Sequence, residues 1–277
     1  MLGIVALLSA VLFPVFRSAK LAAEQTVCAS HHRVVSQANL IYSGDYDDRF
    51  ILTDQNPNGT LTSHTDRTWV QLLLPYSQEF KIFICPSDTG RTPGEDLVFD
   101  QDAVPGDLTS RYYTASMHSD IGFNFEALSP QVLVNKEWVT DPQTLAEIAN
   151  PSSTVMLMDT AWAVDSNNRP YGGGSWLVDP PCRYLEAGGE RIPMFGAPGY
   201  PGLPVYAASR WTTPVGPTPF GGAWPWHQGH MNVSRVDGSL RSLTPSGLQA
   251  GCDTQSGVAT EGATAPLIWV SHLPSGF

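Results

Sequence analysis

The sequence is short of charge, and of positive charge in particular. Only 15% of the 277 residues are charged, and Lys and Arg number 15 against 26 Asp and Glu, so the formal net charge is −11. A nucleic-acid-binding protein needs a basic face to neutralise phosphates, and this balance excludes that class. The apolar fraction of 42% excludes an intrinsically disordered chain.

Motifs of common enzymes are also missing. The chain has no GxSxG, no HExxH, no phosphate-binding P-loop and no Rossmann glycine pattern. We therefore expect a protein that is not an enzyme and that carries no cofactor and no resident metal.

Glycine, proline and tryptophan are plentiful instead. The chain has 25 Gly, 23 Pro and 8 Trp, a composition typical of a loop-rich extracellular protein with β structure. Gly and Pro are densest at residues 165–226, and this density predicts a surface excursion built of long loops.

The first 16 residues, MLGIVALLSAVLFPVF, carry no charge. As a helix they would be about 24 Å long, shorter than a bilayer core of about 30 Å. An apolar helix of this kind must enter a membrane or bundle with copies of itself, because water does not solvate it. The predicted assembly residues are Leu2, Ile4, Val5, Leu7, Leu8, Val11, Leu12, Phe13, Pro14, Val15 and Phe16.

The next stretch, Arg17–Tyr42, has helical periodicity. Apolar residues recur every seven positions at Leu21, Cys28, Val35 and Tyr42, and the stripe is widened by Val27, Val34, Ala38 and Ile41. Pro14 predicts a kink or a locally melted turn, since it removes a backbone donor. Residues 1–42 are thus expected to form one long assembly helix, and residues 43–277 a globular head.

Short elements are predicted within the head. A helix is expected at Arg67–Leu74, ended by Pro75, and a helical turn at Gln143–Ala149. Strands are expected at 81–85, 121–125, 154–159, 203–207 and 267–271.

A hairpin is predicted around Asp237-Gly238. Residues 231–236 and 239–243 flank this pair, which suits a two-residue type I′ turn. That turn places Val233 opposite Ser242, and it turns Asn232 and Ser234 toward solvent.

Four segments in order along the chain carry a family resemblance. They are LFPVFRSAKLAAEQTVCASHHRVVSQANLIYSGDYDDRF at 12–50, IFICPSD at 82–88, IANPSSTVMLMD at 148–159 and HQGHMNVSRVDG at 227–238. In the last, nine residues separate His227 from Asp237-Gly238. Together the segments resemble bacterial type IV pilin-like and pseudopilin proteins, which begin with a prepilin-type helix and end in this His-x9-Asp-Gly motif.

The resemblance implies an α+β fold, in which the long N-terminal helix packs on an antiparallel sheet with long Gly/Pro-rich loops. It implies a subunit that polymerises with copies of itself into an extracellular cell-surface filament and is anchored in the inner membrane before assembly. Two alternatives stay open. One is a minor pseudopilin of a type II secretion system, and the other a membrane-anchored secreted binding module or metal-dependent hydrolase that uses Asp159, His227 and His230.

The four cysteines, Cys28, Cys85, Cys182 and Cys252, permit three disulfide pairings. We favour Cys28–Cys85, because both lie in segments that resemble the family, which leaves Cys182–Cys252. The absence of any CxxC disfavours a zinc site.

Other polar residues permit two interpretations each, one structural and one metal-binding. Asp45, Asp47, Asp48 and Asp54 could bind calcium, although helix capping and solvation are favoured. His227 and Asp237 are expected to brace the hairpin by hydrogen bonds rather than to bind metal.

Two N-glycosylation sequons begin at Asn58 and Asn232. Both asparagines are expected to be exposed.

Overall fold

The computed structural model describes residues 2–55, 67–91, 113–134, 137–164, 169–178, 184–187, 190–193, 222–244 and 258–260. A long N-terminal helix is followed by a small antiparallel sheet, which confirms the broad α+β class. The predicted strands at 203–207 and 267–271 lie outside the described residues, as do Asn58, Cys182 and Cys252.

The first helix, α1 (Leu2–Asp45), is 44 residues long and runs through Pro14 without interruption. The prediction of a locally melted turn at Pro14 was therefore wrong. Proline costs the helix one backbone donor, but its fixed φ is itself helical, so the neighbouring turns can continue. The helix also extends three residues beyond the predicted end at Tyr42.

The second half of α1 buries one face. Cys28, Val35, Ala38 and Tyr42 are buried as predicted. The predicted widening by Val27, Val34 and Ile41 is wrong, since these side chains are 42%, 38% and 57% exposed. Their places in the buried face are taken by the polar residues His32, Ser36 and Asn39, which follow Cys28 and Val35 at helical spacing.

The second helix, α2 (Trp69–Ser77), packs against α1. Thr68 caps its start in a capping box with Gln71, and Trp69 is fully buried. Pro75 lies inside this helix, so the prediction that it ends the helix was wrong. The helix ends instead at Ser77, and Gln78 forms its C-terminal cap. Gln78 has a left-handed φ of 65°, and its N–H donates to the Leu74 carbonyl.

Short helical turns surround the sheet. They are the 3₁₀ turns Phe80–Phe83 and Leu145–Glu147 and the helices Tyr113–Met117 and Phe125–Leu128. The first replaces the strand predicted at 81–85, and the second confirms the helical turn predicted at 143–149.

The strands, in chain order, are β1 (Ile121–Phe123), β2 (Gln131–Val134), β3 (Glu137–Thr140), β4 (Val155–Asp159), β5 (Ala163–Val164), β6 (Pro170–Tyr171), β7 (Tyr184–Ala187), β8 (Glu190–Pro193), β9 (Met231–Arg235), β10 (Leu240–Leu243) and β11 (Val258–Thr260). The main sheet has the order β1-β4-β9-β10, and all its neighbours are antiparallel. β4 and the β9–β10 pair confirm the strands predicted in those segments. α1 lies on this sheet and contacts β4, β9 and β10.

The hairpin joining β9 and β10 differs from the prediction in register and turn type. Ser234 pairs with Leu240 and Asn232 with Ser242. The Arg235 amide donates to the Ser239 carbonyl, and only Gly238 has positive φ within the three-residue loop, so the turn is not type I′. Asn232 and Ser234 are buried, which contradicts both the predicted solvent face and the predicted exposure of the Asn232 sequon.

A two-residue turn with positive φ occurs just upstream. Gln228 and Gly229 have φ of 54° and 87°, and the backbones of His227 and His230 exchange two hydrogen bonds across them. Positive φ at both central residues is the feature of a type I′ turn.

Gly174 lies against the backbone of the segment just before β1, and a substitution there tests this packing. A Cβ at this position would overlap the Ser119 carbonyl oxygen and the Asp120 backbone, which cannot move as a flexible side chain does. We expect Gly174→Ala to lower the free energy of unfolding by about 3 kcal/mol, measured by denaturant titration. Gly44→Ala is the control, since a Cβ at Gly44 meets open space in a helix, and an equal loss in both variants would contradict the packing argument.

Candidate functional site

The leading half of α1 exposes a continuous apolar surface. Nine large side chains are each 60–74% exposed: Ile4, Val5, Leu7, Leu8, Val11, Leu12, Phe13, Val15 and Phe16. Soluble monomers rarely leave so large an apolar patch in water, so this surface is the candidate site for contact with a membrane or with another protein.

The helix is long and apolar enough to be a membrane anchor or a signal sequence. Its most apolar 18-residue window has a mean hydropathy of 1.8, and none of that window is buried within the protein. The apolar run itself ends at Phe16, before Arg17 and Lys20, whereas the helix that carries it continues unbroken to Asp45.

Beneath the second half of α1 lies a buried polar centre around Asp159, the last residue of β4. Asp159 Oδ1 is 2.8 Å from His32 Nε2, and Asp159 Oδ2 is 3.3 Å from His227 Nε2. Oδ2 also accepts a hydrogen bond from the backbone N–H of Asn232 on β9 at 2.5 Å. One carboxylate therefore ties the helix, the sheet and the segment before β9 together.

Two hydroxyls complete this centre. Ser234 Oγ lies 3.1 Å from His32 Nδ1, and Ser87 Oγ lies 3.4 Å from His227 Nδ1. If each imidazole carries its proton on Nε2, both histidines donate to Asp159 and both accept from a serine hydroxyl, so every partner is satisfied. We call Ser87, His32, Asp159, His227 and Ser234 the Asp159 network.

The electrostatic state of Asp159 follows from its surroundings. Burial by itself would raise the pKa of this carboxyl, but the positive potential and hydrogen bonds of His32 and His227 outweigh burial and hold the pKa below its ordinary value. Asp159 is therefore the negative charge around which the network is organised.

A disulfide joins α1 to the network. Cys28 and Cys85 are bonded, as predicted, with Cα atoms 5.4 Å apart. Cys85 Sγ lies 3.8 Å from His227 Nε2, and both cysteines and His227 are buried. Each of the four segments that carry the family resemblance thus contributes at least one side chain to this buried centre.

A second acidic group holds the Cys85–Asp88 segment in position. Asp120 Oδ2 accepts the Cys85 amide at 2.6 Å, and Arg91 lies between Asp120 and Asp88 at 3.3 and 3.5 Å. Burial raises the pKa of Asp120 well above its ordinary value, and the nearby Asp88 acts in the same direction while Arg91 opposes it.

Other predicted site residues do not join this centre. Asp237 is exposed, and its carboxylate accepts the Ser239 amide within the turn, so it braces the hairpin by a hydrogen bond as predicted. The same prediction was wrong for His227, whose side chain contacts Asp159 and Ser87 instead. His230 is exposed whereas Asp159 and His227 are buried, so these three residues do not form the ligand set of the hydrolase alternative.

The acidic residues after α1 are divided between surface and interior. Asp47 and Asp48 are exposed and have φ of 53° and 58°, as at a helix C-terminus, and Asp45 accepts the Tyr76 hydroxyl at 3.0 Å. Asp54 is buried. This arrangement fits the capping reading better than a calcium site.

Sequence reasoning did not identify His32 or Ser234. The available signal was the helical spacing of His32 from Cys28 and Val35, which places an imidazole on the stripe that faces the core. A polar residue on such a stripe needs a buried partner, and that partner was already among the candidates as Asp159.

Comparison with family models, curated proteins and solved structures found no match to this chain.

Replacing the central carboxylate tests the network. We expect Asp159→Asn to lower the free energy of unfolding at neutral pH by about 3 kcal/mol, because it leaves buried histidine donors without their anion. The measurement is denaturant unfolding, with the exposed Asp237→Asn as the matched control.

The same pair of proteins gives a pH test. Because the pKa of Asp159 is lowered by folding, its contribution is present above the ordinary aspartate pKa and is lost as pH falls through the folded value. The stability difference between the native protein and Asp159→Asn should therefore shrink in acid. A pH-independent difference would contradict this assignment, and the opposite contribution of Asp120 cancels because both proteins carry it.

Proposed function

We propose that this chain is the structural subunit of a type IV pilus-like extracellular filament and that it polymerises through the leading half of α1. The observation that carries the proposal is the exposure of nine large apolar side chains on one end of a helix whose other half is built into the head. The four segments that resemble pilin-like proteins support the same function.

The energetics favour association. Burying side chains of this size yields about 1.5–3 kcal/mol each. Nine partly exposed side chains therefore supply roughly 10–20 kcal/mol in gross terms, against about 4–15 kcal/mol for the lost freedom of the associating chains. Helices that project from heads and pack side by side with an axial offset make contacts that do not close, so the product is an open helical polymer.

The head supports this geometry. The disulfide Cys28–Cys85 and the contacts of α1 with β4, β9 and β10 fix the second half of the helix to the sheet. The apolar half is thus presented from a rigid base, with the acidic heads facing the medium.

Before assembly, the same apolar half would be held in the inner membrane. A minor pseudopilin would use the same surface for a short pseudopilus, and a membrane-anchored binding module would use it for attachment alone. Assembly of the purified chain distinguishes the last of these from a filament subunit.

The test compares the full chain with a Phe13→Asp variant after removal of detergent. We expect the full chain to form filaments visible by electron microscopy and recovered in the pellet on ultracentrifugation. Phe13→Asp should reduce the pelleted fraction at least ten-fold, because a charge at a 74% exposed apolar position would be buried without a partner. Arg241→Glu, at an exposed position on β10, is the control and should assemble normally.

Deletion of Met1–Phe16 should abolish assembly altogether. Unchanged filaments from the deleted chain would refute the proposal. A full chain that floats with lipid vesicles but never forms filaments would favour the anchored module instead.

A further inference from the structure

The interior contains a second arrangement that filament assembly does not use. The Sγ atoms of Cys28 and Cys85 and Nε2 of His227 lie within 4.8 Å of one another, and all three residues are buried. Asp159 Oδ2 lies 3.3 Å from the same His227 Nε2. Two sulfurs and one imidazole nitrogen thus converge between α1 and the sheet, and Asp159 Oδ2 approaches this group from the side of His227.

Two of these separations match edges of a tetrahedral zinc site, and the two sulfurs would reach the third only after reduction parts them. With Zn–S bonds of about 2.3 Å and Zn–N or Zn–O bonds of about 2.0–2.1 Å, the ligand atoms lie about 3.3–3.8 Å apart. The distance from Cys85 Sγ to His227 Nε2 is 3.8 Å and that from His227 Nε2 to Asp159 Oδ2 is 3.3 Å. Two edges of the tetrahedron are therefore already in place.

The disulfide keeps this site closed. Zinc binds thiolates, and each sulfur of a disulfide is bonded to the other. The site consequently exists only in the chain whose Cys28 and Cys85 are reduced.

We propose that the reduced protein binds one Zn²⁺ through Cys28, Cys85, His227 and Asp159, and that formation of the disulfide expels it. A dithiol or phosphine reductant supplies the two electrons that convert the disulfide to two thiols. Zinc then binds as both thiols release their protons to solvent. In the reverse direction, an oxidant of the disulfide class removes two electrons, the S–S bond re-forms and the metal leaves.

Neighbouring groups fit a bound metal. When His227 Nε2 binds zinc, the imidazole stays neutral with its proton on Nδ1, and Ser87 Oγ at 3.4 Å is positioned to accept it. Asp159 keeps His32 as a partner through its other oxygen at 2.8 Å. These are the outer contacts that orient metal-binding histidines and carboxylates.

The site would act where the disulfide cannot form. Reducing compartments keep thiols free, and a chain made there would meet zinc before it meets an oxidant. Zinc would then hold α1 to the Cys85 segment, the connection that the disulfide later makes covalent, and also to His227. This role is independent of the filament proposal.

Cobalt titration tests the proposal on the full chain in detergent. Co²⁺ reports tetrahedral thiolate ligation by intense visible absorption and by sulfur-to-metal charge transfer in the near ultraviolet. After phosphine reduction, we expect the Cys182→Ser/Cys252→Ser protein to bind one Co²⁺ per chain, displaced by Zn²⁺. The oxidised protein should give no such spectrum.

Two variants locate the metal. In the same background, Cys28→Ser/Cys85→Ser should abolish the spectrum, and His227→Gln should weaken affinity at least ten-fold. Circular dichroism follows folding, and metal-induced refolding of the reduced chain would count as support. Failure of the reduced protein to bind Co²⁺ would overturn the proposal. Binding that His227→Gln leaves unchanged would also overturn it, because thiols of an unfolded chain alone could explain such binding.

Discussion

The structure depends on the burial of one stripe of α1 against the antiparallel sheet. That stripe is mixed, because Cys28, Val35 and Tyr42 pack as apolar residues while His32 needs a polar partner. Asp159 supplies the partner from the end of β4. A helix held by apolar packing alone could shift along the sheet, whereas a buried imidazole facing a buried carboxylate has one satisfied position.

This attachment divides α1 into two parts with different surroundings. From Cys28 onward the helix belongs to the core of the head, and before Phe16 its large apolar side chains are open to solvent. Because the two parts form one unbroken helix, the orientation of the exposed part is set by the packing of the buried part. The filament proposed above would use this link, since a flexible anchor would leave neighbouring heads without a defined register.

The interior beneath α1 concentrates the chemically active side chains of the described chain segments. Cys28 and His32 come from the helix, Cys85 and Ser87 from the turn after α2, Asp159 from β4 and His227 from the segment before β9. As a hydrogen-bonded network these groups stabilise the junction of helix and sheet. With the disulfide open, the same groups offer sulfur, nitrogen and oxygen ligands to a metal, which is why oxidation state decides between a covalent and a metal-mediated link.

The sequence by itself determined the long helix, β4 and the two strands of the β9–β10 hairpin, and it favoured the Cys28–Cys85 pairing among three that were possible. The helix and the strands follow from apolar periodicity and from pairing between segments close in sequence. The disulfide follows from the motifs that contain the two cysteines. It also pointed to Asp159 and His227, which the hydrolase alternative placed in one site with His230; the structure brings the first two together and leaves His230 exposed. Periodicity failed where local signals were ambiguous: the 3₁₀ turn Phe80–Phe83 replaces the strand predicted at 81–85, and Pro75 is tolerated inside α2.

Only the tertiary structure decided which polar residues are buried. Asn232 and Ser234 alternate with apolar neighbours on β9, a pattern that predicts a solvent face, yet α1 covers that face and His32 and Asp159 bond to it. The hairpin register was likewise decided by a three-residue turn, and a shift of one residue exchanges the two faces of a strand. A sequence pattern records how polar each side chain is, but the partners that make burial favourable come from distant segments: His32 is 202 residues from Ser234, and Asp159 is 73 residues from Asn232.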